Sequence, residues 1–199
     1  MNDAADNASA VSSNERDGYD MLGGPPQDGR LATILQVVPA LGSGGGVERG
    51  TVEIAEAIVD AGGRALVASA GGIQVHEVIR AGGEHIELPV GSKNPVVMYK
   101  NISRLATLIE RENVDLIHVR SRAPAWSALY AAKRTQRPLV TTFHGTYNAR
   151  NFIKRTYNSV MTKGERVIAI STFIAEHVRR LYGVPASRLR TIHRGVDLY

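Results

Sequence analysis

The amino-acid sequence predicts an α/β fold, in which helices cover both faces of a parallel sheet of about seven strands. From Leu31 onwards, short runs rich in β-branched residues alternate with segments of helical spacing, which is the pattern of βαβ units. Glycines and polar residues follow the strands, and ligands bind at that edge of a parallel sheet. A chain of 199 residues is long enough for one such domain with a well-buried core.

The strands and helices can be placed in order along the chain. Apolar residues recur at helical spacing from Val47 to Ile58, and this first helix stops at Gly62 and Gly63. Strands are predicted near residues 32–38, 65–69, 84–88, 115–119, 138–142, 166–170 and 189–193. Further helices are predicted near residues 73–81, 96–112, 123–134, 149–163 and 172–182.

Residues 1–30 differ in composition from the rest of the chain. They are rich in Asn, Asp, Ser, Ala, Gly and Pro and are predicted to form a disordered tail, which leaves residues 31–199 as one domain. The tail holds six acidic residues and two arginines, a net charge of −4, so the total of +5 leaves +9 on the domain. A basic domain favours anionic partners such as nucleotide phosphates, acidic lipid headgroups or nucleic acid.

The composition argues against several classes of protein. The chain has no cysteine, which excludes disulfides and thiolate metal sites. The N-terminus lacks the pattern of a signal peptide, and no apolar run approaches the roughly 18 residues of a membrane span. A cytoplasmic protein, or one that lies on a membrane surface, is expected. No nucleic-acid partner is expected, because the known nucleic-acid-binding signatures are absent.

The glycine-rich segment GSGGGVERG, residues 42–50, lies between the first predicted strand and the first helix. A Walker-type loop would need a lysine where Thr51 stands, and a dinucleotide-binding loop would need a glycine where Val47 or Arg49 stands. Two interpretations remain open. The glycines let backbone amides approach an anion at the positive end of the helix, or the segment is a flexible turn followed by an acid, Glu48, that matches the helix dipole.

Four segments together resemble glycosyltransferase family four. Residues 38–49 (VPALGSGGGVER) look like the family's first loop, which often carries Gly-Gly-x-Glu. Residues 143–145 (FHG) resemble its aromatic-or-Thr, His, Gly segment, and residues 169–173 (AISTF) its Ala-x-Ser-x-x pattern. Residues 192–197 (IHRGVD) resemble its Ile-Pro-x-Gly-Val-Asp segment, with His193 in place of proline. The resemblance covers residues 31–199.

This resemblance implies two Rossmann-like domains that face each other across a cleft, the GT-B arrangement, with this chain as the first and acceptor-side domain. It also implies a nucleotide-sugar donor, retention of anomeric configuration, no metal or other cofactor, and a place of action at the inner face of the cytoplasmic membrane. The family's donor-domain signature, Glu-x7-Glu, has no counterpart in place. The chain is therefore expected to stop before the donor-binding domain and to be inactive alone.

Candidate site residues follow from the resemblance and from positions after strands. Gly45, Gly46 and Glu48 are expected to bind the diphosphate or sugar of the donor. His144 is expected to be catalytic, through a hydrogen bond to a sugar hydroxyl or by sharing charge with the leaving group, with a structural histidine as the alternative. A further set is expected to bind an anionic acceptor through two arginines, or to be solvated: Arg120, Ser121 and Arg122.

Other polar residues after the strands are given structural roles. Ser171 is expected to cap a helix that begins at Thr172, His118 to be packed within its strand, and Arg194 to be structural or interdomain. The remaining histidines show no metal-ligand grouping, so no metal is predicted.

Two functions remain for comparison. The first is a retaining glycosyltransferase that builds a cell-envelope polysaccharide or lipopolysaccharide. The second is a non-catalytic module that binds glycan or lipid, or pairs with a separate donor-binding domain. Basic and aromatic residues are mixed at 93–111 and 151–163, which favours contact with anionic lipid or simply a solvated basic face.

Overall fold

The structure is a computed structural model that describes residues 31–147 and 151–195. Within these ranges, seven strands form one sheet in which every neighbouring pair is parallel. The strands are β1 (Thr33–Val37), β2 (Arg64–Ser69), β3 (Glu84–Glu87), β4 (Leu116–Val119), β5 (Leu139–Phe143), β6 (Arg166–Ala169) and β7 (Leu189–Thr191). The predicted sheet is therefore confirmed. The tail predicted for residues 1–30 lies outside the described residues.

Six α-helices connect the strands in the described ranges. They are α1 (Gly46–Asp60), α2 (Val75–Arg80), α3 (Pro95–Arg111), α4 (Arg122–Thr135), α5 (Phe152–Asn158) and α6 (Thr172–Tyr182). The helix predicted near 149–163 is shorter, because α5 gives way to a 3-10 helix at Ser159–Thr162. Asn151 fixes the start of α5, since its side chain accepts a hydrogen bond from the amide of Lys154 at 2.8 Å.

The spatial order of the strands is β3-β2-β1-β4-β5-β6-β7. The chain moves outward from β1 to β3, returns to the centre, and moves outward again from β4 to β7. The direction of winding therefore reverses between β1 and β4, and the loops that follow these two strands diverge. Such a reversal opens a crevice at the carboxyl edge of a parallel sheet, where ligands bind.

Side chains alternate between the two faces of the sheet. Leu66 and Ala68 of β2 belong to the larger of two buried apolar clusters, together with residues of α3, α4 and α6. Ala65 and Val67 point the other way and belong to the smaller cluster, with residues of α1 and α2. Both faces are thus covered by helices, which confirms the three-layer arrangement.

The N-terminal end of α6 is capped by Ser171, as predicted. Its Oγ accepts a hydrogen bond from the amide of Ile174 at 3.3 Å.

Loss of this cap should be measurable by urea denaturation. We expect Ser171→Ala to lower the free energy of unfolding by about 1 kcal/mol, the usual value for loss of a serine cap. Ser121 is the N-cap residue of α4 but makes no side-chain cap bond. The control Ser121→Ala should therefore change the free energy of unfolding by less than about 0.5 kcal/mol. Equal losses would contradict the capping role.

Candidate functional site

The glycine-rich loop after β1 leads into α1 at the crevice. Gly44 has a φ of +141°, which residues with a side chain rarely adopt. Gly45 is extended, precedes the first residue of α1 and offers no side-chain cap, so the first amides of the helix lack that partner. The loop borders a groove of about 990 Å³ between α1 and α2. The polar lining of this groove includes Arg49, Glu53, Glu56 and His76.

The three candidate residues of this loop lie together at the N-terminus of α1. The carboxylate of Glu48 folds back over Gly45, where an added Cβ would clash with it. The guanidinium of Arg194 would likewise clash with a Cβ added to Gly46. The space beside both glycines is therefore filled by the chain's own side chains. Binding of a donor diphosphate or sugar by Gly45, Gly46 and Glu48 stays a prediction.

Arg120 follows β4 and contacts the same helix. The residue is only 3% exposed. Its Nη2 lies 2.8 Å from the position that a Cβ on Gly50 would take, and the Nη2 of Arg194 lies 3.3 Å from that position. Gly50 therefore leaves room for two guanidinium groups side by side.

The guanidinium of Arg120 is buried without a full set of partners. Its Nε and Nη1 have no hydrogen-bond partner among the described residues. Burial, followed by the charge of Arg194, lowers the pKa of Arg120 to about 10, and Glu53 partly offsets this. Glu53 also lies 3.8 Å from Nη2 of Arg194 and 2.9 Å from Nε of Arg49. Three cations thus share the carboxylate of Glu53.

His144 follows β5 and faces these cations. Both of its ring nitrogens are buried, and they lack hydrogen-bond partners in the part of the chain that the structure describes. Burial, and then the charges of Arg120 and Arg194, lower the pKa of His144 to about 4. The imidazole is therefore uncharged at neutral pH, so one nitrogen can donate a hydrogen bond and the other can accept one.

Arg120, His144 and Arg194 line one small cavity of about 210 Å³ at the carboxyl edge. His118 and Thr142 also line it, with 2.7 Å between the His118 Nε2 and the Thr142 Oγ1. His118 is 6% exposed, which confirms its predicted packed position. Burial, followed by the charges of Arg120 and His144, lowers the pKa of His118 to about 3.

Arg122, the first residue of α4, has different neighbours from Arg120. Its Nη1 donates a hydrogen bond to Oδ1 of Asn158 at 3.0 Å, and its Cζ lies 4.2 Å from the centre of the Tyr147 ring. Arg120 and Arg122 therefore contact different side chains in this structure. Acceptor binding by these two arginines and Ser121 stays a prediction.

The second guanidinium beside Arg120 belongs to Arg194, which the sequence interpretation places in a structural or interdomain role. One signal in the sequence points to its position. Gly46 and Gly50 are four residues apart and lie on one face of α1, which leaves a gap for a long side chain.

Within residues 31–147 and 151–195, no group of three or more His, Cys, Asp or Glu side chains is arranged to hold a metal ion. The predicted absence of a metal from the reaction stays a prediction. In the same described ranges, no helix is both long and apolar enough to cross a membrane.

The strand order and the crevice at the reversal between β1 and β4 define a Rossmann-like α/β domain. The chain belongs to Glycosyltransferase Family 4, since the sequence model of that family matches residues 44–199. This confirms the family resemblance carried by the four sequence motifs. No curated protein matches the chain in sequence.

Three solved structures share this fold. A glycosyltransferase from Rickettsia africae ESF-5 is 45% identical with a TM-score of 0.73, over 83% of this chain and 44% of that protein. Anabaena HepE, solved with UDP and glucose, is 21% identical with a TM-score of 0.65, over 83% and 45%. The lipopolysaccharide outer core galactosyltransferase WaaB is 12% identical with a TM-score of 0.63, over 84% and 47%. The chain thus spans less than half of each relative, as expected for one domain of the GT-B pair.

Proposed function

We propose that the chain is the acceptor-side domain of a retaining glycosyltransferase, which moves a hexosyl group from a nucleotide sugar to a cell-envelope polysaccharide or lipopolysaccharide. Family membership supports the reaction class. The observation that carries the proposal is an uncharged His144, in one cavity with Arg120 and Arg194, whose two ring nitrogens have no partner among the described residues. Such a site offers hydrogen bonds to a sugar and positive charge to a leaving diphosphate.

The donor would lie on the crevice side of the glycine loop. HepE is solved with UDP-glucose and with UDP, which supports a nucleotide sugar as donor. When the bond from the anomeric carbon to the diphosphate oxygen breaks, negative charge develops on the diphosphate. The amides of Gly45 and Gly46 and the guanidinium of Arg194 would stabilise that charge. Glu48 would repel a diphosphate, so its carboxylate suits a hydroxyl of the transferred sugar.

His144 would act on the sugar as a neutral imidazole. Because its pKa is lowered to about 4, it keeps the same protonation state across the neutral range. It can then donate one hydrogen bond to a sugar hydroxyl or to the departing oxygen. No metal takes part in the proposed reaction, in which cations of the protein and backbone amides stabilise the leaving group.

The acceptor would lie in the groove of about 990 Å³ beside the glycine loop. Its carboxylates and basic side chains can form hydrogen bonds with sugar hydroxyls. The predicted acceptor residues Arg120, Ser121 and Arg122 follow β4 at the neighbouring part of the carboxyl edge. WaaB is a lipopolysaccharide outer core galactosyltransferase, which supports a lipopolysaccharide acceptor. The proposed place of action is the cytoplasm, at the inner face of the membrane.

Titration with UDP-glucose tests this function. We expect the nucleotide sugar to shift the amide signals of Gly45 and Gly46 and the ring signals of His144 in nuclear magnetic resonance spectra. UMP, which lacks the diphosphate, is the control and should shift them less. UDP release from UDP-glucose should stay at background, because the chain supplies only the acceptor side. Absence of shifts at these residues would overturn the donor assignment, and UDP release above background would overturn the predicted inactivity.

The alternative function is a non-catalytic module that binds glycan or lipid, or pairs with a separate donor-binding domain. Two apolar side chains at the carboxyl edge favour pairing: Ile73 is 63% exposed and Ile192 is 55% exposed. Each lines a cavity at that edge. For a glycan-binding module, a glycan would shift the signals of the groove residues while UDP-glucose would shift none.

A membrane contact is also proposed, at the start of α5. Phe152 is 82% exposed and Ile153 is 78% exposed, and the exposed cations Lys154 and Arg155 follow them. Apolar side chains beside cations suit a surface of acidic lipids. We expect the chain to sediment with phosphatidylglycerol vesicles at low salt, to be released at high salt, and to bind less when Phe152 and Ile153 are both replaced by serine. Sedimentation unaffected by salt and by the double substitution would contradict this contact.

A further inference from the structure

Arg120 is the most unusual charged residue in the described part of the chain. The residue is 3% exposed, yet Nε and Nη1 have no hydrogen-bond partner there. A buried charge without partners destabilises a fold unless a ligand or an opposite charge compensates it. The protein carboxylate that offsets its charge, Glu53, is shared with Arg194 and Arg49. Among the described residues, Nε and Nη1 of Arg120 thus remain free to donate hydrogen bonds to a ligand.

The surroundings of Arg120 are arranged for an anion. Arg194 places a second guanidinium beside it, in the gap left by Gly46 and Gly50. The first turn of α1 supplies the positive end of a 15-residue helix. The neutral imidazole of His144 adds one N–H donor, since neither ring nitrogen has a partner among the described residues. The shared cavity has a volume of about 210 Å³, several times the roughly 30 Å³ that one water molecule takes up in the liquid.

We propose that Arg120 and Arg194 together form a subsite for a phosphate-type oxyanion at the carboxyl ends of β1 and β4. Guanidinium groups suit phosphate because their planar arrays of donors match its oxygens. The assignment of the phosphate to a substrate rests on the proposed glycosyltransferase function. A phosphorylated sugar acceptor and the diphosphate of the donor both offer this chemistry.

Inorganic phosphate is the first probe, with binding to the 199-residue chain measured by titration calorimetry. We expect Arg120→Gln and Arg194→Gln each to weaken the phosphate Kd at least about 10-fold, as loss of a charge-assisted hydrogen bond does. Arg80→Gln is the matched control, because Arg80 is exposed and paired with Glu77 on α2. It removes the same charge and should leave the Kd unchanged.

A second variant guards against a folding artefact. Gly50→Ala keeps both arginines but places a methyl group 2.8 Å from Nη2 of Arg120. We expect it to weaken phosphate binding as well, by displacing the guanidinium groups. A wild-type Kd in folded Arg120→Gln, or no phosphate binding by the wild-type chain, would overturn the subsite.

Two further ligands identify the source of the phosphate. Glucose 6-phosphate, with glucose as its uncharged control, represents an acceptor, and UDP represents the donor. The ligand whose affinity falls more in Arg120→Gln, glucose 6-phosphate or UDP, identifies the substrate that the subsite binds. The subsite and the proposed function can fail separately. If UDP-glucose shifts the amide signals of Gly45 and Gly46 but Arg120→Gln binds phosphate with the wild-type Kd, the subsite is wrong and the proposed function stands.

Discussion

Replacement of Arg120 by methionine is expected to stabilise the fold by about 1–3 kcal/mol at neutral pH, although it removes a charged side chain. Methionine is shorter than arginine, but it is unbranched and packs well in irregular spaces. Replacing buried charges by apolar side chains of similar volume is often stabilising by roughly 1–4 kcal/mol. Burial lowers the pKa of Arg120 to about 10, and each pKa unit corresponds to about 1.4 kcal/mol.

The pH dependence of this destabilisation follows from the direction in which folding changes the pKa of Arg120. The pKa of Arg120 is lower in the folded state than in the unfolded state, so the charged form is disfavoured by folding. The cost is fully present below pH 10 and is relieved only as the pH rises above about 10. Arg120 should therefore destabilise the fold throughout the range in which proteins are handled.

Urea denaturation at pH 7 measures the effect, with Arg80→Met as the control. Arg80 is exposed, so its replacement should change the free energy of unfolding by less than about 0.5 kcal/mol. A loss of stability in Arg120→Met would mean that the guanidinium has stabilising partners. A gain of stability together with a loss of phosphate binding would show that this residue is retained for binding and not for folding.

The fold follows from local patterns that the sequence displays directly. The strands and α1 could be predicted because the spacing of their apolar residues reflects burial in the core. Gly62 and Gly63, which follow Ile58, mark the end of the helix. The helix predicted near 149–163 is the exception. There the 3-10 geometry at Ser159–Thr162 is accompanied by burial of Val160, Met161 and Thr162, a tertiary effect that helical spacing does not reveal.

The site is predictable only in part. Arg120 and His144 could be located because each directly follows a strand. The side-chain direction of Arg122 could not, because it depends on Tyr147 and Asn158, which come from other parts of the chain. The position of Arg194 beside Arg120 could not be predicted for the same reason, since its neighbours on α1 precede it by well over a hundred residues. Glycine content alone does not distinguish room for a ligand from room for an arginine.

Acidification from pH 7 to pH 4 is expected to destabilise the domain, and His144 should account for about 3 kcal/mol of the loss. Its pKa is about 4 in the folded state against 6.5 for an ordinary histidine, at about 1.4 kcal/mol per pKa unit. Because the unfolded chain binds the proton more tightly, the stabilisation is complete above pH 6.5 and disappears as the pH falls towards 4. His118, with a pKa of about 3, should add to the loss in the same direction.

The contribution of His144 can be isolated by urea denaturation of His144→Gln at pH 7 and at pH 4.5. This variant should lose less stability on acidification than the wild type, because glutamine has no proton to bind. A nuclear magnetic resonance titration of the His144 ring in Arg120→Met then tests the cause. Removing the neighbouring positive charge should raise the pKa of His144, whereas Arg80→Met should leave it unchanged. A His144 that titrates near 6.5 in the wild-type chain would contradict both its burial and its proposed role as a neutral hydrogen-bond donor, because an imidazolium would then form just below neutral pH.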